Sequence, residues 1–253
     1  MSDERNTKKA LLAIMVVSLL TLAVSAGLFL LLMQIPFPFS SFSGSASGIL
    51  FPTSDIPEPE TQPVIRLGHY EQDGNIENGP EIIDWIILSE ENGQYLLLSR
   101  DVLNVLPYHN ISKTDITWEN CSLRKWLNEN FFFAAFSPDE QSRILLSQTD
   151  NTNTLDIWSS EGGNDTEDHV FLLSAAEVKQ YFDTDEDRKC NASKACAENA
   201  FETDACTWWL RSPGFSQQDA ERIYVTGSIH TVRVTSDLIG VRPAIRISIP
   251  QSD

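Results

Sequence analysis

The sequence predicts an α+β domain that follows a single membrane-spanning helix. Three observations lead to this prediction: an apolar segment without charge near the N-terminus, strand-like segments at both ends of the region that follows, and helical segments between them. Because strands precede and follow the helices, we expect both ends of the domain to contribute to one antiparallel sheet system. About 190 residues remain for the domain, enough to bury one core.

Residues 10–33 form the predicted membrane-spanning helix. The stretch contains no charged residue, and at about 1.5 Å of rise per residue it reaches roughly 36 Å, more than the hydrocarbon core of about 30 Å. Arg5, Lys8 and Lys9 precede it. The positive-inside rule therefore makes residues 1–9 a cytoplasmic tail and places the C-terminal region outside the cell.

A cleaved signal peptide is the alternative interpretation of this segment. The small residues Val24, Ser25 and Ala26 are typical of a cleavage site. The apolar run continues to Met33, however, beyond the roughly 7–15 residues of a signal-peptide core. We therefore expect an uncleaved single-pass membrane anchor.

Residues 34–63 are the predicted extracytoplasmic linker, and residues 64–250 the globular extracellular domain. The linker is rich in Pro, Ser and Gly, which is typical of an extended spacer without a core. The chain carries a formal net charge of −18. Such a charge repels the phosphates of nucleic acids, so we expect no nucleic-acid partner.

The first half of the domain is predicted to hold a hairpin and then helices. Residues 85–88 and 95–99 are apolar runs separated by a turn with Asn92 and Gly93, which predicts two paired strands. A helix is expected to begin near Thr117, with Asn120 or Ser122 as alternative caps.

Two further helix starts have capping boxes, and strands follow them. Ser137 and Glu140 form one predicted box, and Ser174 and Glu177 form the other. Strands are predicted at residues 207–211, 222–225, 230–234 and 240–247, with a hairpin turn at residues 226–228.

Seven motifs, taken in chain order, carry a resemblance to a known family. They are WENCSLRKWLN at residues 118–128, AFS at 135–137, FLLS at 171–174, YF at 181–182, RKC at 188–190, WWLRSPG at 208–214 and GVRPA at 240–244. Together they resemble a domain family of secreted or membrane-tethered bacterial proteins that has no established activity.

That family is in turn similar to the C-type-lectin-like superfold, which the formylglycine-generating enzymes share. The resemblance implies antiparallel sheets with flanking helices and with long loops that carry any ligand site. It implies no catalytic residues, because the copper-binding cysteine pair of the formylglycine-generating enzymes has no matching motif here. A shared fold does not by itself bring an activity.

The tryptophan pair Trp208 and Trp209 is the most distinctive stretch of the sequence. In an alternating strand the two rings face opposite sides. One hypothesis makes the outward ring a stacking platform for a sugar, with Arg211 beside it. The other interpretation, which we favour, places both rings in the core and pairs Arg211 with a buried carboxylate.

Alternating carboxylates at Asp183, Asp185 and Asp187 suggest a calcium loop. An EF-hand would need Gly at the sixth position and Glu at the twelfth, where this sequence has Arg188 and Lys194. The EF-hand pattern therefore fails. A looser calcium site on the three aspartates is one hypothesis, and a solvated acidic segment is the favoured one, with no other cofactor expected.

Four cysteines lie in the extracellular domain, where disulfides are chemically possible. Cys190, Cys196 and Cys206 crowd together in sequence, apart from Cys121. A disulfide among the three is a candidate, and the sequence does not choose the pairing. Free buried thiols are the alternative.

We expect the domain to act by binding and not by catalysis. The sequence contains no GxSxG, HExxH or P-loop pattern. The expected ligand is a glycan, a peptide or another envelope protein. An enzyme of the formylglycine-generating superfold, an unrecognised hydrolase and a purely structural envelope protein are the alternatives.

Overall fold

The computed structural model describes residues 63–112, 115–152, 160–197 and 206–249, all within the unit Pro59–Asp253. The predicted tail, the predicted membrane helix at residues 10–33 and the predicted linker up to residue 62 lie outside the described residues. In the ranges that are described, no helix is long and apolar enough to span a membrane.

The first sheet contains both ends of the described chain. Its strands, numbered along the chain, are β1 (Val64–Tyr70), β2 (Glu81–Glu91), β3 (Gln94–Ser99), β12 (Ala244–Ser248) and β7 (Val170–Phe171), in that spatial order. All neighbouring pairs are antiparallel. The prediction that the two ends meet in one antiparallel sheet is confirmed.

The turn between β2 and β3 depends on two residues with positive φ. Asn92 has a φ of 53° and Gly93 a φ of 76°. Positive φ at both central residues is the requirement of the tightest hairpin turns, which Asn-Gly satisfies better than other pairs. The predicted hairpin is confirmed, and β2 is longer than expected because it continues to Glu91.

The second sheet is built mainly from the C-terminal third. Its spatial order is β10 (Ile229–Arg233), β9 (Asp219–Ile223), β8 (Trp208–Pro213), β11 (Gly240–Val241) and β4 (Asn104–Val105). The predicted turn at residues 226–228 joins β9 to β10. A third, two-stranded sheet pairs β5 (Ser147–Thr149) with β6 (Thr166–Asp168).

The segment 240–247 is not one strand, as predicted, but two. Gly240–Val241 pairs in the second sheet and Ala244–Ser248 in the first. Pro243 has no N–H to donate to a ladder, and its carbonyl accepts a hydrogen bond from Ser99 N at 2.9 Å. The chain therefore passes from one sheet to the other at Arg242 and Pro243.

One helical segment joins the sheets in the middle of the chain. It consists of α1 (Ser122–Trp126), a π-helical turn (Leu127–Phe131) and α2 (Phe132–Ala135). The cap is Cys121, whose Sγ accepts a hydrogen bond from Arg124 N. The predicted start near Thr117 is therefore wrong.

The two predicted alternative caps serve other parts of the chain. The Asn120 side chain accepts from Thr117 N and donates to Asp115 O. The Ser122 hydroxyl accepts from Asn110 N. Neither is left to cap the helix.

Both predicted capping boxes are confirmed. Ser137 and Glu140 cap α3 (Pro138–Gln141), and Ser174 and Glu177 cap α4 (Ala175–Tyr181). A 3₁₀ turn (Glu186–Arg188) and α5 (Lys194–Ala197) complete the described helices. Sheets with a few short helices give the α+β class that the sequence predicts.

Large aromatic side chains fill the core between the sheets. Four tryptophans are almost completely buried: Trp85, Trp118, Trp208 and Trp209. Their ring nitrogens are not left unpaired, since each donates to a carbonyl or a carboxylate. The core therefore satisfies its polar edges, as buried indoles require.

Candidate functional site

The first concentration of polar side chains surrounds the buried carboxylate of Asp168. Its Oδ1 accepts from Arg124 Nε at 2.6 Å, and its Oδ2 accepts from Trp118 Nε1 at 2.9 Å. The hydroxyls of Thr149 and Thr166 donate to Oδ2 at 3.2 and 2.7 Å. A buried charge of this kind is tolerated because a cation and several donors surround it.

Asn128 extends this network to the first sheet. Its Nδ2 donates to Val170 O at 2.9 Å, and its Oδ1 accepts from His169 N at 2.9 Å and from Val170 N at 3.1 Å. Trp118, Arg124, Asn128, Thr149, Thr166 and Asp168 are called the Asp168 cluster. Three of its members come from the WENCSLRKWLN motif, whose polar residues therefore fasten the helical segment to β6 and β7.

A pocket of about 460 Å³ opens beside this cluster. Most of its polar side chains take part in the fold: Asn120 and Ser122 bond to backbone and Arg124 to Asp168. Burial raises the pKa of the Cys121 thiol to about 12, so this thiol is protonated at neutral pH and is a poor nucleophile. These side chains therefore support the fold.

Trp208 and Trp209 do not form the predicted stacking platform. Both rings are fully buried, and their ring nitrogens donate to Arg188 O at 3.1 Å and to Leu106 O at 2.8 Å. A sugar cannot stack on a ring that the core already covers. The favoured alternative, in which both rings belong to the core, describes the structure.

Arg211 is buried beside them and pairs with a carboxylate, as that same alternative expects. Its guanidinium binds Glu177 and donates to Leu172 O at 2.8 Å and Asp150 O at 3.0 Å. Glu177 is also the capping residue of α4. Arg211 therefore holds the first turn of α4 against β8, and its guanidinium is buried away from solvent.

Asp183, Asp185 and Asp187 are exposed and do not gather their oxygens at one point. Asp187 Oδ2 accepts from Thr184 Oγ1 at 2.7 Å, and Asp185 Oδ1 pairs with Arg188 Nη1 at 2.5 Å. Among the described residues, the close group of acidic side chains is Glu71, Asp73 and Glu81 instead. The structure thus gives the predicted calcium site no common ligand set.

The acidic group Glu71, Asp73 and Glu81 lies at the loop between β1 and β2. Its carboxylates accept hydrogen bonds from the backbone of that loop. Glu81 Oε2 accepts from Gln72 N at 2.7 Å, and Asp73 Oδ1 accepts from Asn75 N at 2.7 Å. Glu71 Oε1 accepts from Gly74 N at 2.7 Å. These carboxylates close the turn between β1 and β2.

All four cysteines are free, buried thiols in the structure. The disulfide among Cys190, Cys196 and Cys206 therefore stays a prediction. Cys206 N donates to Cys190 O at 2.8 Å, so these two residues lie on neighbouring backbone segments.

A second opening, of about 550 Å³, lies at the tip of the β2–β3 hairpin. We call it the hairpin groove. The C-terminal end of α4 forms one wall, and the hairpin and β12 form the other. It is lined by Ser89, Glu90, Glu91, Asn92, Gln94, Gln180, Tyr181 and Arg246.

The side chains of the hairpin groove differ from those of the Asp168 cluster in one respect. Within the described ranges, the fold uses no hydrogen bond or ion pair from the side chains of Glu91, Asn92, Gln180 or Arg246. Their donors and acceptors face an open volume beside the half-buried ring of Tyr181. The groove combines acidic, basic, amide and aromatic groups, which suits binding of a polar ligand.

Sequence reasoning missed this groove. Its residues come from three distant segments, near residues 90, 180 and 246, and only Tyr181 belongs to one of the seven motifs. The available signal was the Asn92-Gly93 turn with its acidic flank, which predicts the hairpin but not what faces it.

The comparisons with known proteins identify a family but no activity. No curated protein matches the chain, and no solved structure does. The resemblance to a family without established activity agrees with the family match that follows. Residues 92–249, more than half of the chain, match DUF6273, a domain of unknown function, and the chain therefore belongs to the DUF6273 family.

Proposed function

We propose that the chain is a membrane-tethered, extracytoplasmic binding module of a bacterial cell envelope, and that the hairpin groove is its ligand site. One observation carries the proposal: the side chains of Glu91, Asn92, Gln180 and Arg246 gather in the groove, and among the described residues the fold uses no hydrogen bond or ion pair from them. A site that binds a ligand from solution needs donors and acceptors that are still available. Those of the Asp168 cluster already bond to one another and to the backbone.

The chemistry of the groove favours a glycan as the ligand. Carboxylates and amides, here Glu91, Asn92 and Gln180, are planar groups that bond to pairs of sugar hydroxyls. Tyr181 supplies a ring face and Arg246 a cation for an acidic substituent. A largely apolar ligand would leave these groups desolvated and unpaired, at a cost of about 1–3 kcal/mol each.

The anchoring of α4 gives the groove a rigid wall. The capping box at Ser174 and the ion pair between Glu177 and Arg211 fix the first turn of the helix. Ala175 N donates to Ser212 Oγ at 2.9 Å. Because the helix has only two turns, fixing its start also fixes Gln180 and Tyr181 at its end, which lowers the entropic cost of binding.

A C-type-lectin-like architecture forms the fold-level part of the proposal. Two features support it: the first and last strands of the domain share one sheet, and short helices flank the sheets. The predicted anchor at residues 10–33 and the predicted linker at residues 34–63 would hold such a module at the outer face of the membrane.

The test is a binding screen on the full chain in detergent micelles. We expect specific binding to an array of bacterial glycans and soluble cell-wall fragments, screened with and without calcium. Arg246→Gln removes the cation of the groove and should weaken binding at least tenfold. Lys125→Gln, which removes an exposed cation from the pocket beside the Asp168 cluster, should leave binding unchanged.

Each outcome of the screen has a distinct meaning. Loss of binding in Lys125→Gln but not in Arg246→Gln would move the site to the other pocket. Absence of binding to any glycan by a folded protein would overturn the proposal and favour a structural envelope role.

A further inference from the structure

Three buried cysteines come together at the start of β8, and the proposed binding function uses none of them. Cys190 follows the 3₁₀ turn, Cys196 lies in α5, and Cys206 stands two residues before β8. Burial raises the pKa of the Cys206 thiol to about 12, and after burial the next causes are the charges of Cys190 and Cys196, in that order. Both thiols therefore lie within electrostatic range of Cys206.

The backbone geometry favours one pair over the others. Cys206 N donates to Cys190 O at 2.8 Å. The backbone bond lengths on either side of this single hydrogen bond limit the separation of the two Cα atoms to at most about 6.7 Å. Disulfides span Cα separations of about 4.4–6.8 Å, so Cys190 and Cys206 need no large backbone movement to be joined.

Cys196 lacks this backbone contact. Its own N–H donates to Ser193 O at 2.9 Å within the turn that begins α5. Cys121 is in a different place altogether, since its Sγ caps α1. Cys190 and Cys206 are therefore joined through their backbones, and Cys196 is a nearby thiol without that contact. Cys121 is distant and serves as a control.

We propose that Cys190 and Cys206 are a covalent modification site that closes to a disulfide in the presence of a disulfide oxidant such as oxidised glutathione. The step proceeds through a mixed disulfide. The two thiols lose two protons and two electrons and form one S–S bond, while the S–S bond of the oxidant breaks to give two glutathione thiols.

The bond would fasten the segment after the 3₁₀ turn to the strand that carries the two buried tryptophans. Trp208 Nε1 already donates to Arg188 O across the same junction. Closing the loop between residues 190 and 206 restricts the unfolded chain, so the oxidised protein should melt roughly 5–10 °C above the reduced one.

We expect the disulfide to form slowly in the folded protein at neutral pH. Burial raises the pKa of Cys190 to about 11, although the nearby guanidinium of Arg242 opposes this rise. Thiolates are the attacking species, so the rate of closure should increase about tenfold for each pH unit between pH 7 and pH 9.

The experiment uses the full chain equilibrated in glutathione buffers of increasing oxidised fraction. Free thiols are then trapped by alkylation under denaturing conditions and counted by mass spectrometry. We expect two thiols to be lost in each case: two of four in the wild type, and two of the remaining three in Cys121→Ser and in Cys196→Ser. Cys190→Ser and Cys206→Ser should each keep all three of their remaining thiols free.

Peptide mapping identifies the pair. Trypsin separates Cys190 from the peptide that holds both Cys196 and Cys206, because Lys194 lies between them. Cleavage after Glu198 and Glu202 then separates those two. A cross-link between Cys190 and Cys206 is the expected result. Four free thiols under oxidising buffer, or a bond that requires Cys196, would overturn the proposal.

Discussion

The Asp168 cluster and the hairpin groove contain similar kinds of side chain in opposite situations. Both combine carboxylates, an arginine, amides and an aromatic ring. Asp168 is fully buried and its carboxylate receives five hydrogen bonds. The side chains of Glu91 and Arg246 in the groove, by contrast, make no hydrogen bond or ion pair with the residues described. The motif residues build the domain, and residues mostly outside the motifs are available to bind.

The largest loss of stability should come from removing the carboxylate of Asp168, the centre of the Asp168 cluster. Asp168→Ala removes the acceptor of Arg124 Nε, of Trp118 Nε1 and of the Thr166 hydroxyl. We expect a loss of about 3–5 kcal/mol in the free energy of unfolding, because one partner of a buried ion pair remains. Urea denaturation measures it.

The matched control is a neighbour in the same strand. Glu167→Gln changes an exposed carboxylate of β6 and should alter the free energy of unfolding by less than about 0.5 kcal/mol. Equal effects from the two variants would mean that the cluster does not stabilise the domain.

Asn128→Ala tests the edge of the same network. The change removes an acceptor from His169 N and Val170 N and a donor to Val170 O. Since two backbone donors lose their partner, we expect a loss of about 2 kcal/mol. Thermal unfolding followed by circular dichroism measures it, and a loss as large as that of Asp168→Ala would show that the two residues act as one unit.

A third test concerns Glu140, a carboxylate that is only partly buried but accepts hydrogen bonds within the fold. It asks whether such a side chain contributes to stability. Partial burial raises the pKa of Glu140, but hydrogen bonds from Gly68 N and from Ser137 outweigh it and lower the pKa below its ordinary value. A lowered folded-state pKa stabilises the protein above the unfolded-state value of about 4.3 and ceases to do so as the pH falls through the folded-state value.

Glu140→Gln should therefore be less stable than the wild type at pH 7, by less than about 1 kcal/mol because solvent screens the partly exposed carboxylate. The difference should shrink below pH 4. Unfolding curves from pH 3 to pH 7 measure it, and a difference independent of pH would contradict the assigned cause.

The smallest effect on stability is expected in the groove itself. Arg246→Gln removes a cation that makes no ion pair within the described part of the chain. The free energy of unfolding should change by less than about 0.5 kcal/mol, while glycan binding weakens at least tenfold. A loss above 1 kcal/mol would show that Arg246 supports the fold, and the contrast between the two regions would disappear.

Local patterns predicted local structure well in this chain. Ser174 and Glu177 predict a capping box, and Asn92-Gly93 predicts a tight hairpin. Both predictions succeed because the residues of each pattern interact within a single turn of the chain. The break at Pro243 was missed although proline forbids a ladder donor, since Val241 and Ile245 read as one apolar strand. The pairing of Arg124 with Asp168 could not be predicted, because the two residues are distant in sequence.

The candidate site shows the same limit. Burial of Trp208 and Trp209 followed from the size of their rings, and the pairing of Arg211 with a carboxylate followed from its place beside them. The hairpin groove has no signature of its own, because only the completed sheet and α4 bring Tyr181, Asn92 and Arg246 to one opening.

The passage of the chain at Arg242 and Pro243 has a consequence for the order of folding. β12 lies between β3 and β7 in the middle of the first sheet, yet it consists of residues 244–248 of a 253-residue chain. β7 has no other strand neighbour in that sheet, so the sheet cannot be completed until β12, which is distant in sequence from both β3 and β7, has docked between them. Such non-local pairing makes folding slow, and a truncation of ten residues at the C-terminus would leave two unpaired strand edges where the core should be.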